Sequence, residues 1–325
     1  MRTGLTFDDV TIIPKYSEIS SRDNVSTKTE LCEGIELDVP IISANMDSIS
    51  GVEMCIAMDR IGGLGILHRF MDPEMIEDSV RRMVKADVKY PAVSVGLNTS
   101  IEFVKHLVKL GAKIVCLDVA HGHHARVVRY LKQLTPELYG KASIIAGNVA
   151  TTKGARCLIS EGIQVVKVGI GSGSHCTTRV NTGCGVPQVT AVLDIAMEFN
   201  CIADGGIRNS GDITKALACG AKAVMIGNLF AGTDEAAMPD TYRGMASRVA
   251  QEQWKKDSPI YIEGENSYTV ERIGPAKNVV DNLIAGVRSG MSYVGASNLE
   301  ELRENAEFMQ VTHAGYIEGT PHGKR

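Results

Sequence analysis

The chain predicts a (β/α)8 barrel, the TIM-barrel class of α/β fold, on three observations. Eight short apolar runs recur through its middle, segments of helical periodicity separate them, and the runs are near-continuous rather than alternating, as in strands buried on both faces. Eight such units suit closure into a barrel of about 250 residues carrying insertions. The alternative, a doubly wound open sheet, would carry a GxGxxG fingerprint after its first strand, and none is present.

In order, the runs are VPIISA (39–44), GGLGILH (62–68), AVSVGL (92–97), KIVCLDVA (113–120), ASIIAGNV (142–149), VVKVGI (165–170), FNCIADGG (199–206) and AVMIGNLF (223–230). Helical patterns fill the gaps in IEFVKHLVKLGA (101–112), TKGARCLISEG (152–162), QVTAVLDIAMEF (188–199) and GDITKALACGA (211–221). Several reach a glycine at or near their end, where a left-handed residue stops a helix. Residues 1–37 precede the first strand, and the polar stretch 233–275 follows the last. A loop that long at the C-terminal end of a barrel strand predicts a mobile flap or lid. Helices resume at 276–290 and 298–308, and 319–325 read as an unstructured tail. The whole of 1–325 is expected to be one catalytic barrel domain without an inserted regulatory domain.

Composition narrows the function. A net charge of -4 exerts no basic pull toward nucleic acid or a membrane surface, and no apolar run reaches the length of a membrane span. The start, MRTGLTFDDV, turns acidic too early for a secretory signal. The eight cysteines form no CxxC pair and no zinc spacing, which fits a reducing cytoplasm.

A barrel gathers its chemistry at the C-terminal strand ends. Here these are SANMDS (43–48), HRF (68–70), GLN (96–98), DVAHGH (118–123), AGNVAT (146–151), GIGSGSHCTTR (169–179), ADGGIRNSGD (203–212) and IGNLFAGTD (226–234). The glycines after strands 7 and 8, one set with a helix start behind it near Ser210, predict a phosphate cradle rather than merely tight turns. Cys176 stands among Gly, Ser, His and Thr instead of on an apolar face, so it is the candidate nucleophile. His175 is a poor candidate for its base, because adjacent side chains often point apart. Asp118 and His121 pose a choice between a metal site and a hydrogen bond to a ribose or backbone group. No third ligand of matching spacing lies nearby, which favours the second.

LTFDDV, SANMDS, AGNVAT, KVGIGSGSHCTTR, ADGGIRNSGDITKALACGA, AGTDEA and YRGMAS, in this order and nearly end to end, resemble the IMP dehydrogenase and GMP reductase family. The resemblance implies a barrel, usually a homotetramer, whose thiolate attacks C2 of a purine nucleoside monophosphate while hydride moves between that carbon and a nicotinamide cofactor. It makes Cys176 the nucleophile, Thr178 a proton handler and Glu263 its flap partner. Ser43, Met46, Asn148, Ser174, Asp204, Gly206, Gly227, Asn228, Tyr242, Gly244 and Met245 would meet the nucleotide. Within that set Asp204 would take the ribose hydroxyls, Ser174, Gly206, Gly227 and Tyr242 the phosphate, and Gly244 and Met245 the base. Asp118, His121 and Gly169 would face the cofactor. The carbonyls of Gly171, Gly173 and Cys176 would suit a monovalent cation such as K+. Ser172 in place of the usual proline, His175 in place of an aliphatic residue and Asn228 in place of serine or glycine depart from the family pattern.

Within the family, the short path from the first strand to Cys176 and the absence of an Arg-Tyr pair between Gly244 and Glu263 point to GMP reductase working with NADPH. The loops SANMD and NTGCG point the same way. HAGYIEG and GGIRNSGDITKALACGA look more like IMP dehydrogenase, which would use NAD and would need Arg243 or Arg248 to replace the missing arginine. A phosphate-binding lyase or isomerase, or an inactive nucleotide-binding barrel, would not need the thiol.

Overall fold

The computed structural model describes residues 1–254 and 261–321. Eight parallel strands close into a barrel: β1 (Ile41–Ser43), β2 (Leu64–Leu67), β3 (Ala92–Val95), β4 (Ile114–Asp118), β5 (Ser143–Val149), β6 (Val165–Val168), β7 (Cys201–Asp204) and β8 (Ala223–Ile226), with β8 pairing back onto β1. Each lies inside its predicted run. The helices are α1 (Val52–Ile61), α2 (Pro73–Lys85), α3 (Ile101–Leu110), α4 (Ala125–Leu138), α5 (Thr152–Ile159), α6 (Gln188–Ala196), α7 (Ser210–Ala218) and α8 (Ala276–Tyr293). The last of these packs against α7 and α1 and completes the outer ring. Local chemistry sets their starts: the side chains of Ser100, Thr151 and Asn209 accept the N–H groups of Phe103, Gly154 and Asp212.

The regions outside the barrel repeat carry more structure than their sequence suggests. Val10–Ile12 pairs antiparallel with Phe308–Gln310. That pairing ends the helix predicted over 298–308 at Asn305 and draws the chain into extended form. A hairpin, Thr29–Cys32 with Ile35–Leu37, packs Leu31, Ile35 and Leu37 against inward-facing barrel residues such as Ile42, Ile66, Ile114 and Met225. The flap region holds a short strand pair, Thr241–Tyr242 with Tyr268–Thr269, and a helix, Arg248–Trp254. Parts of the expected flap (255–260) and tail (322–325) lie outside the described residues.

Along β6, Val165 belongs to the apolar interior, and two residues on, in the same direction, comes Lys167. Its Nζ lies 2.9 Å from Asp118 at the end of β4 and 2.9 Å from Asp204 at the end of β7. Burial alone would lower the pKa of this lysine. The two carboxylates outweigh that and hold its pKa above the ordinary lysine value. For Asp118, burial acts to raise the pKa, but Lys167 and Arg69 more than reverse it and the net shift is downward. Gly147 on β5 lets the strand pass this group, since a Cβ there would lie 2.5 Å from Cβ of Lys167.

Two outcomes follow for the fold. Leu31→Ala removes a fully buried side chain of the hairpin and should cost about 2–5 kcal/mol in denaturant unfolding. Lys167→Met leaves Asp118 and Asp204 without their cation and should cost roughly 3–5 kcal/mol at neutral pH. In the parent, Asp118 has a depressed folded pKa. Its contribution is therefore present above the unfolded value of about 3.9 and disappears as pH falls through the lower folded value. In the variant Asp118 loses the nearer of the two cations that lower its pKa and keeps the opposing effect of burial, so stability should instead fall as pH climbs toward neutrality. Unfolding midpoints measured across mildly acidic to neutral pH check this; parallel profiles for the two proteins would refute it.

Candidate active site

The loop after β6 presents the thiol. The backbone N–H of Cys176 donates to the carbonyl of Gly173 at 3.1 Å, closing a turn that sets Cys176 just before a short helix, Thr178–Thr182. The Cys176 thiol meets Oγ1 of Thr178 at 3.1 Å, and that hydroxyl donates to Oε2 of Glu263 at 2.9 Å. The three groups form a line along which a proton can pass. Main-chain pairing brings Glu263 there. Gly264 bridges Cys176, the Thr177 N–H donates to the Glu263 carbonyl at 2.8 Å, and the Glu265 N–H donates to the His175 carbonyl at 3.0 Å. Asn181 Nδ2 adds a bond to the Ile262 carbonyl at 2.8 Å.

Behind the thiol loop stands Asp204. Besides Lys167 it accepts from Asn148 Nδ2 at 2.9 Å, and its main-chain carbonyl accepts from Ser172 Oγ and Gln188 Nε2, both at 3.2 Å. The serine in the proline position thus ties the thiol loop to Asp204. Asn148 sits at a register shift in β5 and also donates to the Gly169 carbonyl at 2.8 Å, while its Oδ1 is buried without a partner. On the other side, Ser43 Oγ accepts from Ser50 Oγ at 2.7 Å, and the Tyr242 hydroxyl meets Met46 Sδ at 3.7 Å. Gly227 passes between them: a Cβ there would lie 2.9 Å from each.

The loops after β7 and β8 carry Gly205, Gly206 and Gly227. Gly206 has φ +84° with the Phe7 ring against it, and the N-terminus of α7 follows. Arg208 holds Asp212 at 3.1 Å and Asp8 at 2.9 Å, which neutralises the acidic first turn of α7. Ser174 lies 3.1 Å from the His175 ring. That ring is edge-on to Tyr242 at 4.6 Å and stacked on Tyr268 at 4.9 Å, and the Tyr268 hydroxyl donates to Asn228 Oδ1 at 3.0 Å. Two departures from the family pattern, His175 and Asn228, therefore meet on one tyrosine. Burial lowers the His175 pKa against the opposing pull of Glu265, so the ring is neutral at pH 7. Burial pushes the Tyr242 phenol up to about 12.

Most of the candidate residues converge on this mouth. Cys176, Thr178 and Glu263 meet one another, and Asp118, Asn148, Gly169 and Asp204 share one hydrogen-bond and ion-pair network through Lys167. Gly244 lies beside Gly264 and the His175 carbonyl, and Met245 next to it is half-buried. His121 is not drawn into these networks: it is exposed, with its ring near that of His123. Gly171 packs against the Arg179 side chain, and the Gly173 carbonyl already accepts one N–H. Of the candidate substitutes for the missing arginine, Arg243 is buried in an ion pair with Asp47, whereas Arg248 is exposed, 3.7 Å from Glu252. Sequence reasoning passed over Lys167, although a lysine inside the apolar run VVKVGI was a signal. It also passed over Arg69, Gln188 and Tyr268, for which no local pattern exists.

A family model described as the IMP dehydrogenase / GMP reductase domain matches residues 4–322. An inosine-5'-monophosphate dehydrogenase of Nitrosopumilus maritimus is 32% identical over 474 aligned positions, covering 99% of this chain and 98% of the relative. The enzyme of the same name from Borreliella burgdorferi is 34% identical over 399 positions, covering 99% and 97%. Both alignments exceed the 325 residues of this chain, so both relatives carry stretches without a counterpart here. Among solved structures, a cysteine-to-alanine variant of GMP reductase from Trypanosoma brucei, in complex with guanosine 5'-monophosphate, superimposes with a TM-score of 0.93 at 28% identity, covering 100% of this chain and 99% of that one. The chain belongs to the IMP dehydrogenase / GMP reductase family of nicotinamide-dependent oxidoreductases.

Proposed function

We propose that the chain is a GMP reductase that converts GMP to IMP and ammonia through a covalent bond between Cys176 and purine C2. The observation that carries this reading is the Cys176–Thr178–Glu263 line, with Arg243 held away in its buried ion pair. The Cys176 thiolate forms the C2–S bond. As the C2–S bond forms, the thiol proton passes through Thr178 to Glu263; the C2–N bond to the exocyclic amine then breaks, and that proton, returned through Thr178, lets the amine leave as ammonia. Hydride then adds to C2, the C2–S bond breaks, and the thiolate returns. Asp204 holds the ribose hydroxyls, Ser174, Gly206, Gly227, Asn228 and Tyr242 the phosphate, and Ser43, Met46, Asn148, Gly244 and Met245 the base. The unpartnered Oδ1 of Asn148 suits a donor on the ligand.

The nicotinamide cofactor, NADPH in this reading, supplies the hydride. Asp118, His121 and Gly169 would hold it; Asp118, partly exposed at the end of β4 with Arg69 Nε 3.9 Å away, fits a polar ligand there. The carbonyls of Gly171, Gly173 and Cys176 would offer uncharged oxygens to K+, with one lone pair of Gly173 still free. The reading includes a single barrel domain without a regulatory insert, a homotetramer, and a cytoplasmic setting with no nucleic-acid or membrane partner. Among the described residues, no helix is long and apolar enough to cross a membrane. IMP dehydrogenase is the second reading, favoured by relatives of that name at 32% and 34% identity against 28% for the reductase structure.

Cys176→Ala should abolish turnover while GMP still binds by calorimetry, because the other contacts remain. Glu263→Gln should slow ammonia release about a hundredfold or more with little change in GMP affinity. Following nicotinamide absorbance with GMP plus NADPH, and separately with IMP plus NAD, decides between the readings. XMP formation as fast as GMP reduction would replace the reductase assignment with the dehydrogenase.

A further inference from the structure

One buried charge pair lies outside the chemistry above. Asp47 directly follows Met46, and Arg243 directly follows Tyr242, so the pair joins two loops that flank the mouth. The side chains are 1% and 6% exposed. Arg243 Nε lies 3.1 Å from each Asp47 oxygen, and a terminal nitrogen also closes on Oδ2. Two neighbours at the end of the flap helix complete the cluster. Trp254 Nε1 donates to Asp47 Oδ2 at 2.9 Å, and Gln253 Oε1 accepts from Arg243 at 2.8 Å.

The indole also packs on Phe70, with ring centroids 6.1 Å apart, and lines the same cavity as His68. Burial pushes the His68 pKa down to about 4, so the imidazole brings no third charge. From the same helix, Gln251 reaches on toward Glu263: it donates to the Ala246 carbonyl at 2.9 Å and accepts the Tyr261 N–H at 3.2 Å, two residues before the glutamate.

A buried ion pair needs its remaining hydrogen-bonding capacity filled, because an unfilled polar group in a dry setting is costly. Trp254 and Gln253 fill it only while the helix is docked. We propose that Trp254 and Gln253 are positioning residues, latching the flap helix onto the Asp47–Arg243 pair and so holding Glu263 on Thr178. The part played by Glu263 rests on the relay proposed above. The latch itself rests only on the contacts of this cluster. Gln253→Glu keeps the acceptor, Gln253→Leu removes it, and Trp254→Phe keeps the ring while removing the donor.

The test compares these three full-length variants with the parent by kcat and KM, by GMP affinity in calorimetry, and by acrylamide quenching of Trp254, the chain's single tryptophan. Gln253→Leu and Trp254→Phe should lose tenfold or more in kcat with GMP affinity within twofold. Gln253→Glu should match the parent, and quenching should increase in Gln253→Leu alone among the variants that retain the indole. Parent-like kcat and quenching in Gln253→Leu would overturn the latch. So would a loss of GMP affinity as large as the loss in kcat, which would mark a general structural role. If the protein oxidises IMP and does not reduce GMP, the relay reading fails, but the kcat ratios in that direction and the quenching still decide on the latch.

Discussion

A single buried ammonium organises the mouth of this barrel. Lys167 lies between carboxylates carried by two other strands, and each of its contacts is 2.9 Å. Without it the barrel would bring two carboxylates together with no cation between them, and they would repel each other. With it, both remain acceptors. Asp204 then serves as the reference point for everything above. Its side chain fixes Asn148, and its carbonyl fixes Ser172 of the thiol loop and Gln188 at the start of α6. The loop that carries Cys176 is therefore tied to the barrel at Asp204 through Ser172 and at Asn148 through Gly169.

The second tier is the flap, whose construction differs from that of the barrel. Barrel strands are held by continuous ladders and apolar burial on both faces. The flap is held by a few main-chain bonds around Cys176 and Gly264, an aromatic group of His175, Tyr242 and Tyr268, and the polar cluster on Asp47. Few apolar contacts and many polar ones are the marks of a segment with a low opening free energy. The groups that must stay fixed, Asp204 and Asp118, belong to strands. The proposed proton carrier, Glu263, belongs to the flap.

The barrel was legible because each strand announces itself locally: VPIISA or VVKVGI is apolar through its length, and burial on both faces demands that. The thiol loop was legible because Gly, Ser and Thr around a cysteine have no packing explanation. What local pattern cannot reveal is pairing at a distance. Asp204 stands 37 residues from Lys167, and Asp47 stands 196 from Arg243. Arg243 illustrates the cost: from sequence it is a free arginine in the flap, and in the fold it is spent on Asp47. The hairpin over 29–37 escaped for a related reason. Its alternation is only a few residues long, and its partner is the barrel interior rather than an adjacent segment.

The antiparallel pair between Val10–Ile12 and Phe308–Gln310, with Phe7 placed against Gly206, spans nearly the whole sequence. Translation runs in one direction, so residue 10 leaves the ribosome long before residue 310 exists to receive it. During synthesis the first strand waits with its hydrogen-bonding edge open, and the wall behind Gly206 cannot be raised until the strands in between have closed. The end of the barrel that carries Gly206 is thus among the last parts of the molecule to be completed. An unfinished chain carries its thiol with no finished pocket around it.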